Sequence, residues 1–256
     1  MKHYVMSDIH GMGGLFDEIM EFLNEQTDGY QLIFLGDACD RGPDGYRIMK
    51  SLLENPNVIY LQGNHEDLFV KAAREAKAYA LEDHMSIQEQ VNRVGDMFSY
   101  MAYELGHEAR LYLQNGGQPT FEAWIADGAS MSFVNTIAQL PIYHCLNDKI
   151  DMFHAGSTSY TLEMMDKNEM LWDRDHFGIK WMYGEGDRTL IHGHTPVKYV
   201  YDYIEEEVPR IWKPLRYSEN KICMDTAAFR TETIGLYCVE DDSFIMFTPH
   251  DNLPTF

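Results

Sequence analysis

The sequence predicts a mixed α/β protein in which two β-sheets pack as a sandwich with helices on both outer faces. Three observations support this prediction. Strand and helix patterns alternate as β-α-β-α-β at the start of the chain, apolar runs ending in glycine and polar residues recur throughout, and the last third is poor in helical patterns. Strands connected through helices favour parallel pairing, whereas the helix-poor last third predicts a second, more antiparallel sheet packed on the first.

The individual elements follow from local periodicity. Short apolar runs bounded by turn residues predict strands at 4–6, 31–35, 58–61, 150–153, 189–191, 221–224, 234–239 and 243–247. Helical spacing predicts helices at 15–24 and 45–54. Residues 67–140 combine alanine, glutamate, methionine and aromatic residues at helical spacing without a strand pattern, which predicts a helical cap or insertion.

Length and composition restrict the class of protein. The 256 residues contain no linker-like stretch, so we expect one domain over 1–256. The first residues pass directly into a strand pattern, and no later apolar stretch is long enough to span a bilayer, which predicts a cytoplasmic protein without a membrane partner. The four cysteines form no C-x-x-C pair and are expected to be reduced thiols.

The formal net charge is −21. A charge of this size repels nucleic acid and anionic membranes, so neither is an expected partner. Bound divalent cations would reverse the sign of the local field and still allow a phosphate group to bind.

Five short motifs follow apolar runs and place polar residues at predicted strand ends. They are SDIHG at 7–11, GDACDRG at 36–42, GNHE at 63–66, HAG at 154–156 and HGHT at 192–195. This recurrence predicts a single site built from several strand ends.

The residue types in these motifs are typical of metal ligands. Asp8 and His10 are two residues apart and would hold one ion together, while Asp37 could bridge that ion to a second one. The second ion would take Asn64, His154 and His194. Oxygen and imidazole donors without thiolates suit Mn²⁺, the first choice here, or Fe²⁺ and Zn²⁺.

Two ions about 3.5–4 Å apart can hold a bridging hydroxide for in-line attack on phosphorus. His65 would then protonate the leaving oxygen as general acid, oriented by Asp40. Arg41 and Arg174 are candidates to bind phosphate oxygens.

The order of the five motifs resembles that of the calcineurin-like metallophosphoesterases and, more narrowly, the bacterial and phage branch of the phosphoprotein phosphatase family. The resemblance runs from about residue 4 to about residue 226, and the DRG and GNHE motifs are its most specific marks. It implies a four-layer αββα fold and the same ligands, general acid and phosphate contacts on the matching residues. The chain departs from the family pattern at Ser7, Cys39 and Ala227, none of which is an implied ligand.

Three residues each allow two interpretations. His192 could join the first ion, as in broader relatives with a GHxH motif, or be a hydrogen-bonded residue of the core. Arg174 could instead form a surface ion pair with Asp173 or Asp175. Cys39 could respond to oxidation or pack as a small apolar residue.

The sequence therefore predicts a metal-dependent phosphoesterase that acts on phosphomonoesters, with phosphoserine or phosphothreonine in protein as the first substrate candidate. The alternative is symmetrical hydrolysis of a dinucleoside tetraphosphate, because the motifs recognise only the phosphoryl group. A second alternative is a catalytically silent member with a binding or regulatory role. The expected partner is a phosphorylated protein or a small phosphorylated substrate.

Overall fold

The computed structural model describes residues 1–80, 85–100, 107–159, 164–178 and 188–248, which form two five-stranded sheets. The strands of the first sheet are β1 (Lys2–Met6), β2 (Tyr30–Phe34), β3 (Val58–Tyr60), β9 (Ile234–Cys238) and β10 (Ser243–Phe247). Their spatial order is β10-β9-β1-β2-β3, in which β1, β2 and β3 pair in parallel and β9 pairs antiparallel with β1 and β10.

The second sheet has the same number of strands and the same mixture of directions. Its strands are β4 (Tyr143–Leu146), β5 (Ile150–Phe153), β6 (Thr189–His192), β7 (Leu215–Ser218) and β8 (Lys221–Cys223). Their spatial order is β4-β5-β6-β8-β7, with β5, β6 and β8 parallel and both edge strands antiparallel.

The two sheets pack face to face through alternate residues of their strands. Val5 and Ile33 of the first sheet share a buried apolar cluster with Met152, Ile191 and Ile222 of the second. Because side chains alternate between the two faces of a strand, the residues between them point to the opposite face, where the helices pack. The inner faces therefore form the centre of the sandwich.

Helices cover both outer faces and complete four layers. The first sheet is covered by α1 (Gly13–Asn24) and α2 (Gly45–Glu54), whose apolar sides join its outer cluster. The second sheet is covered by α8 (Lys167–Trp172) and α9 (Val197–Tyr203). The predicted sandwich with helices on both sides is confirmed.

Five helices lie between β3 and β4 in the part of this stretch that the structure describes. They are α3 (Asn64–Ala80), α4 (Ile87–Tyr100), α5 (His107–Gln114), α6 (Gln118–Ala126) and α7 (Met131–Ala138). Residues 81–84 and 101–106 of the predicted insertion lie outside the described residues. Buried aromatic rings of Phe69, Tyr112, Phe121 and Trp124 pack edge to face and join α3, α5 and α6 to one another.

The structure corrects the prediction of a more antiparallel second sheet. The last two strands, β9 and β10, belong to the first sheet, and each sheet has two parallel and two antiparallel pairings. All five residues of β9 are buried, which suits a strand between two neighbours with packing on both faces. Local pattern shows that a strand forms, whereas its partner is decided by packing with distant residues.

The eight predicted strands are present with small shifts at their ends, and two further strands were missed. The missed strands, β4 and β7, are edge strands with partly exposed polar residues, so their sequences lack the apolar runs on which the prediction relied. Within the residues described, none of the helices combines the length and apolar character needed to cross a membrane.

Candidate metal centre and substrate cleft

The predicted ligands lie together at the loops that follow five strands. Asp8 and His10 follow β1, Asp37 follows β2, Asn64 opens α3 after β3, His154 follows β5 and His194 follows β6. All six side chains are buried. The parallel strands of both sheets bring their carboxyl ends to one place, which is why residues separated by as many as 186 positions meet there.

The backbone at this place is unusually rich in left-handed conformations. Non-glycine residues with positive φ include Asp8 (57°), His10 (46°), Asp37 (60°), Asp40 (70°), Arg41 (66°) and His194 (64°). Each such residue costs about 1–2 kcal/mol relative to an ordinary conformation. The surrounding fold holds these loops in conformations that direct their side chains toward one another.

Asp37 is at the centre of the cluster and faces histidines on both sides. Its Oδ2 lies 3.5 Å from Nε2 of His10 and 3.8 Å from Nε2 of His65, and its Oδ1 lies 3.4 Å from Nε2 of His154. Two groups of possible ligands result, one of Asp37 with His10 and His65 and one of Asp37 with His154 and His194. A carboxylate shared in this way is suited to bridge two ions.

The hydrogen bonds of two histidines test whether the residues fit metal ions. Nδ1 of His10 lies 2.9 Å from the carbonyl oxygen of Cys39, and Nδ1 of His154 lies 2.9 Å from that of Leu35. An imidazole that donates its Nδ1–H to a carbonyl presents a lone pair at Nε2, as metal-binding histidines do. Both Nε2 atoms lie near oxygens of Asp37, and at His154 this sets an acceptor against an acceptor, which a cation between them would satisfy.

The electrostatics of His154 also favour a cation beside Asp37. Burial lowers the pKa of His154, but the negative charge of Asp37 outweighs burial and raises it to about 9. The position between His154 and Asp37 therefore attracts positive charge. Oxygen and imidazole donors of this kind fit Mn²⁺, Fe²⁺ or Zn²⁺.

Asp8 and Asn64 complete the two groups. A carboxylate oxygen of Asp8 lies 4.0 Å from Nε2 of His10, and the same carboxylate accepts the backbone N–H of His194 at 3.0 Å. The Oδ1 atom of Asn64 lies 2.8 Å from both Nε2 of His154 and Nδ1 of His194. All six residues predicted as ligands are thus brought together.

His65 is held by a chain of hydrogen bonds that begins in the helical insertion. Its Nδ1 lies 2.7 Å from Oδ2 of Asp40, whose other oxygen accepts the hydroxyl of Tyr112 at 2.6 Å. The backbone N–H of Asp40 donates to the hydroxyl of Thr120 at 2.9 Å. Burial lowers the pKa of His65, but the charges of Asp37 and Asp40 outweigh it and hold the pKa above its ordinary value.

Glu66 is a supporting residue that the sequence interpretation missed. Its buried carboxylate accepts the backbone N–H groups of Asp37, Ala38 and Gly63, each at 2.8 Å, and the hydroxyl of Tyr60 at 2.7 Å. These contacts join the loops after β2 and β3. The sequence did mark this glutamate, because it is the last residue of the GNHE motif and follows two predicted site residues.

Two glycines allow the close approach of these loops. A side chain at Gly63 would collide with the carboxylate of Asp37, and one at Gly193 would collide with Asp8 and Ser7. Both glycines therefore leave space for a predicted ligand.

The arginines that were predicted to bind phosphate lie beside the cluster. Arg41 donates to Nε2 of His10 at 2.8 Å, and its guanidinium lies 4.5 Å from the centre of the Phe229 ring. Arg174 reaches the hydroxyl of Thr195 at 3.5 Å. Among the described residues it forms no ion pair, which argues against the alternative of a surface pair with its neighbouring aspartates.

His192 lies outside both groups of possible ligands. Its Nε2 is 2.9 Å from the hydroxyl of Tyr217 and 3.5 Å from Nε2 of His176. The alternative of a buried, hydrogen-bonded histidine therefore agrees with the geometry better than that of a ligand. Cys39 is fully buried in the main apolar cluster, and burial raises the pKa of its thiol, which agrees with packing as a small apolar residue.

A cleft of about 310 Å³ opens beside the cluster, and we call it the substrate cleft. Its lining residues are Arg41, Gln114, Asn115, Arg174, His194, Pro196, Tyr199, Asp225, Ala227, Phe229 and Arg230.

Asp225 is the one carboxylate among the described residues of this lining and was not predicted as a site residue. Burial raises its pKa to about 6, although the N–H of Ala227 donates to it at 2.7 Å. Asp225 could have been found in the same way as the predicted ligands, because it follows a strand, β8. Ala227, the departure from the family pattern, has a φ of 53°, so this alanine adopts the conformation that glycine prefers.

The chain is similar to known proteins in sequence and in fold. A family model described as calcineurin-like phosphoesterase matches residues 1–222. The asymmetrical bis(5′-nucleosyl)-tetraphosphatase PrpE of Oceanobacillus iheyensis is 22% identical over 222 residues, covering 77% of this chain and 78% of that protein. The provisionally named serine/threonine-protein phosphatase C27B7.6 of Caenorhabditis elegans is 28% identical over 128 residues, covering 47% of this chain and 27% of that protein.

The fold also has counterparts among solved structures. A crystal structure with the provisional name of a diadenosine tetraphosphatase superposes with a TM-score of 0.58 at 12% identity, covering 96% of this chain and 92% of that one. The likeness concerns the fold alone.

Proposed function

The chain belongs to the calcineurin-like phosphoesterase family, whose members act on phosphate esters, and from that premise we propose that it hydrolyses phosphomonoesters with two divalent metal ions. The observation that carries this proposal is the carboxylate of Asp37, which presents one oxygen to His10 and His65 and the other to His154. When bound, two divalent ions would supply Lewis acidity that activates water and neutralises phosphoryl oxygens. Mn²⁺ is the first candidate.

The proposed roles of the chain's own residues follow from their positions. Asp8, His10, Asn64, His154 and His194 would hold the ions together with Asp37. Arg41 and Arg174 would orient the phosphoryl group by donating from their planar guanidinium groups to its oxygens.

Cleavage of the phosphorus–oxygen bond leaves an alkoxide that needs a proton. His65 would deliver it, because Asp40 accepts from the opposite ring nitrogen and keeps the imidazole oriented. Water supplies the oxygen that phosphorus gains, so the products are phosphate and an alcohol.

Phosphoserine or phosphothreonine in protein is the first substrate candidate. The DRG and GNHE motifs support it, and so does the similarity to the phosphatase of C. elegans over about half of this chain. A dinucleoside tetraphosphate is the second candidate. It is supported by the arginines of the substrate cleft and by the relative PrpE, which matches a larger part of the chain.

The experiment is a comparison of kcat/KM for a phosphothreonine peptide and for diadenosine tetraphosphate, on one preparation loaded with Mn²⁺. A preference for the peptide by orders of magnitude would support the phosphoprotein candidate. A preference for the dinucleotide would support the second candidate, and its products would separate symmetrical cleavage to two ADP from asymmetrical cleavage to ATP and AMP. Absence of turnover of both, and of p-nitrophenyl phosphate, would contradict the proposed activity.

A further inference from the structure

We propose that Arg230 forms a second anion-binding position in the substrate cleft, which takes a phosphate group next to the one that is hydrolysed. This inference rests on the proposed function and favours its second substrate candidate, the dinucleoside tetraphosphate, because a phosphomonoester carries no adjacent phosphate. Arginines are concentrated in this cleft. Three of the ten arginines of this strongly acidic chain, Arg41, Arg174 and Arg230, line the same cleft.

None of these three arginines forms an ion pair with a carboxylate among the described residues. Other arginines do, since Arg47 pairs with Asp17 and Arg216 pairs with Asp242. In a chain with a net charge of −21, guanidinium groups without such ion pairs that line a common cleft form a local region of positive charge. Such a region is suited to an anion with more than one negative group.

One carboxylate, Asp225, is found among the described lining residues of the cleft. It is buried, accepts the N–H of Ala227 and interacts electrostatically with Arg41. Arg174 and Arg230 form no ion pair within the described part of the chain, so their charge is available for a ligand.

The positions of the arginines differ in a way that assigns them separate phosphates. Arg41 contacts His10 and His65 of the candidate metal centre, and Arg174 contacts Thr195, the residue after His194. Arg230 lies on α10 (Ala228–Thr231), is exposed, and among the described residues forms no hydrogen bond or ion pair with a possible ligand. Arg41 and Arg174 are thus close to the reacting phosphoryl group, and Arg230 is available to the next one.

Phe229, the residue before Arg230, connects this part of the cleft to the candidate metal centre. The ring of Phe229 packs against the imidazole of His10 with centroids 5.7 Å apart and also lies under the guanidinium of Arg41. Because Phe229 and Arg230 are adjacent, this packing ties the backbone that carries Arg230 to the candidate metal centre. The second position is therefore part of the same cleft.

The test compares two inorganic probes on metal-loaded protein by isothermal titration calorimetry. Orthophosphate occupies one position and pyrophosphate occupies two. We expect Arg230→Gln to weaken pyrophosphate binding by about fivefold and to leave orthophosphate binding unchanged. Arg210→Gln, which removes an exposed arginine outside the cleft, is the matched control and should change neither.

Equal weakening of both probes, or unchanged pyrophosphate binding in Arg230→Gln, would overturn the proposal. Loss of affinity only for a phosphothreonine peptide with acidic neighbours would also overturn it, because the position would then recognise carboxylates. Turnover of p-nitrophenyl phosphate by the same preparations tests the proposed function separately. A protein without turnover that still shows the selective loss of pyrophosphate binding would contradict the function and support the second position.

Discussion

Asp40 and His65 form a buried hydrogen bond of 2.7 Å, and the remaining oxygen of Asp40 accepts the hydroxyl of Tyr112. Tyr112 lies on α5, in the helical insertion, whereas His65 lies at the start of α3. The insertion therefore helps to orient His65, the proposed general acid, through the hydrogen bond from Tyr112 to Asp40. This contact links the insertion to the candidate site.

Removing the charge of Asp40 should impair proton delivery. We expect Asp40→Asn to lower kcat by about 10–100-fold, the usual effect of losing a residue that orients a metal-site histidine. Tyr112→Phe removes one hydrogen bond to Asp40 and should lower kcat by a smaller factor of about 3–10. Steady-state kinetics on p-nitrophenyl phosphate measure both. Tyr46→Phe, which removes a hydroxyl bonded to Asp127 at the surface, is the control, and an equal loss in this variant would contradict the assignment.

Glu66 should contribute mainly to stability. Glu66→Gln replaces an acceptor oxygen with an NH₂ group and leaves buried backbone N–H groups without partners, so we expect a loss of about 2–4 kcal/mol in the free energy of unfolding. Urea denaturation measures this change. Glu21→Gln alters an exposed side chain and should change stability by less than about 0.5 kcal/mol. Similar values for the two variants would show that the four hydrogen bonds of Glu66 carry no net stabilisation.

Asp173 should position the loop that carries Arg174. Its carboxylate accepts the backbone N–H of His176 at 3.1 Å and lies 2.8 Å from Nδ1 of the same residue. We expect Asp173→Asn to raise KM by about 3–10-fold with little change in kcat, because a displaced Arg174 weakens substrate and transition state alike. Asp175→Asn alters an exposed neighbour and should leave both constants unchanged. A fall in kcat alone would contradict this role.

Lys221 should make stability depend on pH. Burial lowers the pKa of its ammonium group to about 8, while the group donates to the carbonyl of His176. Between about pH 8 and pH 10.5 the unfolded chain holds this proton and the folded chain does not, so the contribution of Lys221 to stability rises with pH across that range. The difference in unfolding free energy between the wild type and Lys221→Met should therefore rise from pH 8 to pH 10 and be constant below pH 7. A constant difference throughout would contradict the lowered pKa.

The sequence was sufficient for the layers of the fold and for the residues that meet at Asp37. Apolar runs predicted the strands, and polar residues after those runs predicted that the site residues would gather at strand ends, where Asp8, Asp37 and His154 lie. These features are local, because a strand and the loop after it are adjacent in the chain.

Features that depend on contacts between distant segments were not predictable in this way. The partner of β9 is decided by packing with residues more than 200 positions away, and the bond from Tyr112 to Asp40 spans 72 positions. Glu66 and Asp225 were missed because their roles lie in buried hydrogen bonds and charge, which residue type alone does not reveal. The partly polar edge strands β4 and β7 were missed because they have no apolar run.

The central claim is that Asp37 joins two metal positions, and metal content per chain tests it most directly. Protein stripped of metal and reloaded with Mn²⁺ would be analysed by mass spectrometry for the wild type, Asp37→Asn and the exposed control Asp17→Asn, with circular dichroism to confirm folding. We predict two ions per chain in the wild type and in Asp17→Asn, and a loss of both from folded Asp37→Asn at the same Mn²⁺ concentration. Retention of two ions by folded Asp37→Asn, with affinity equal to that of the wild type, would contradict the claim.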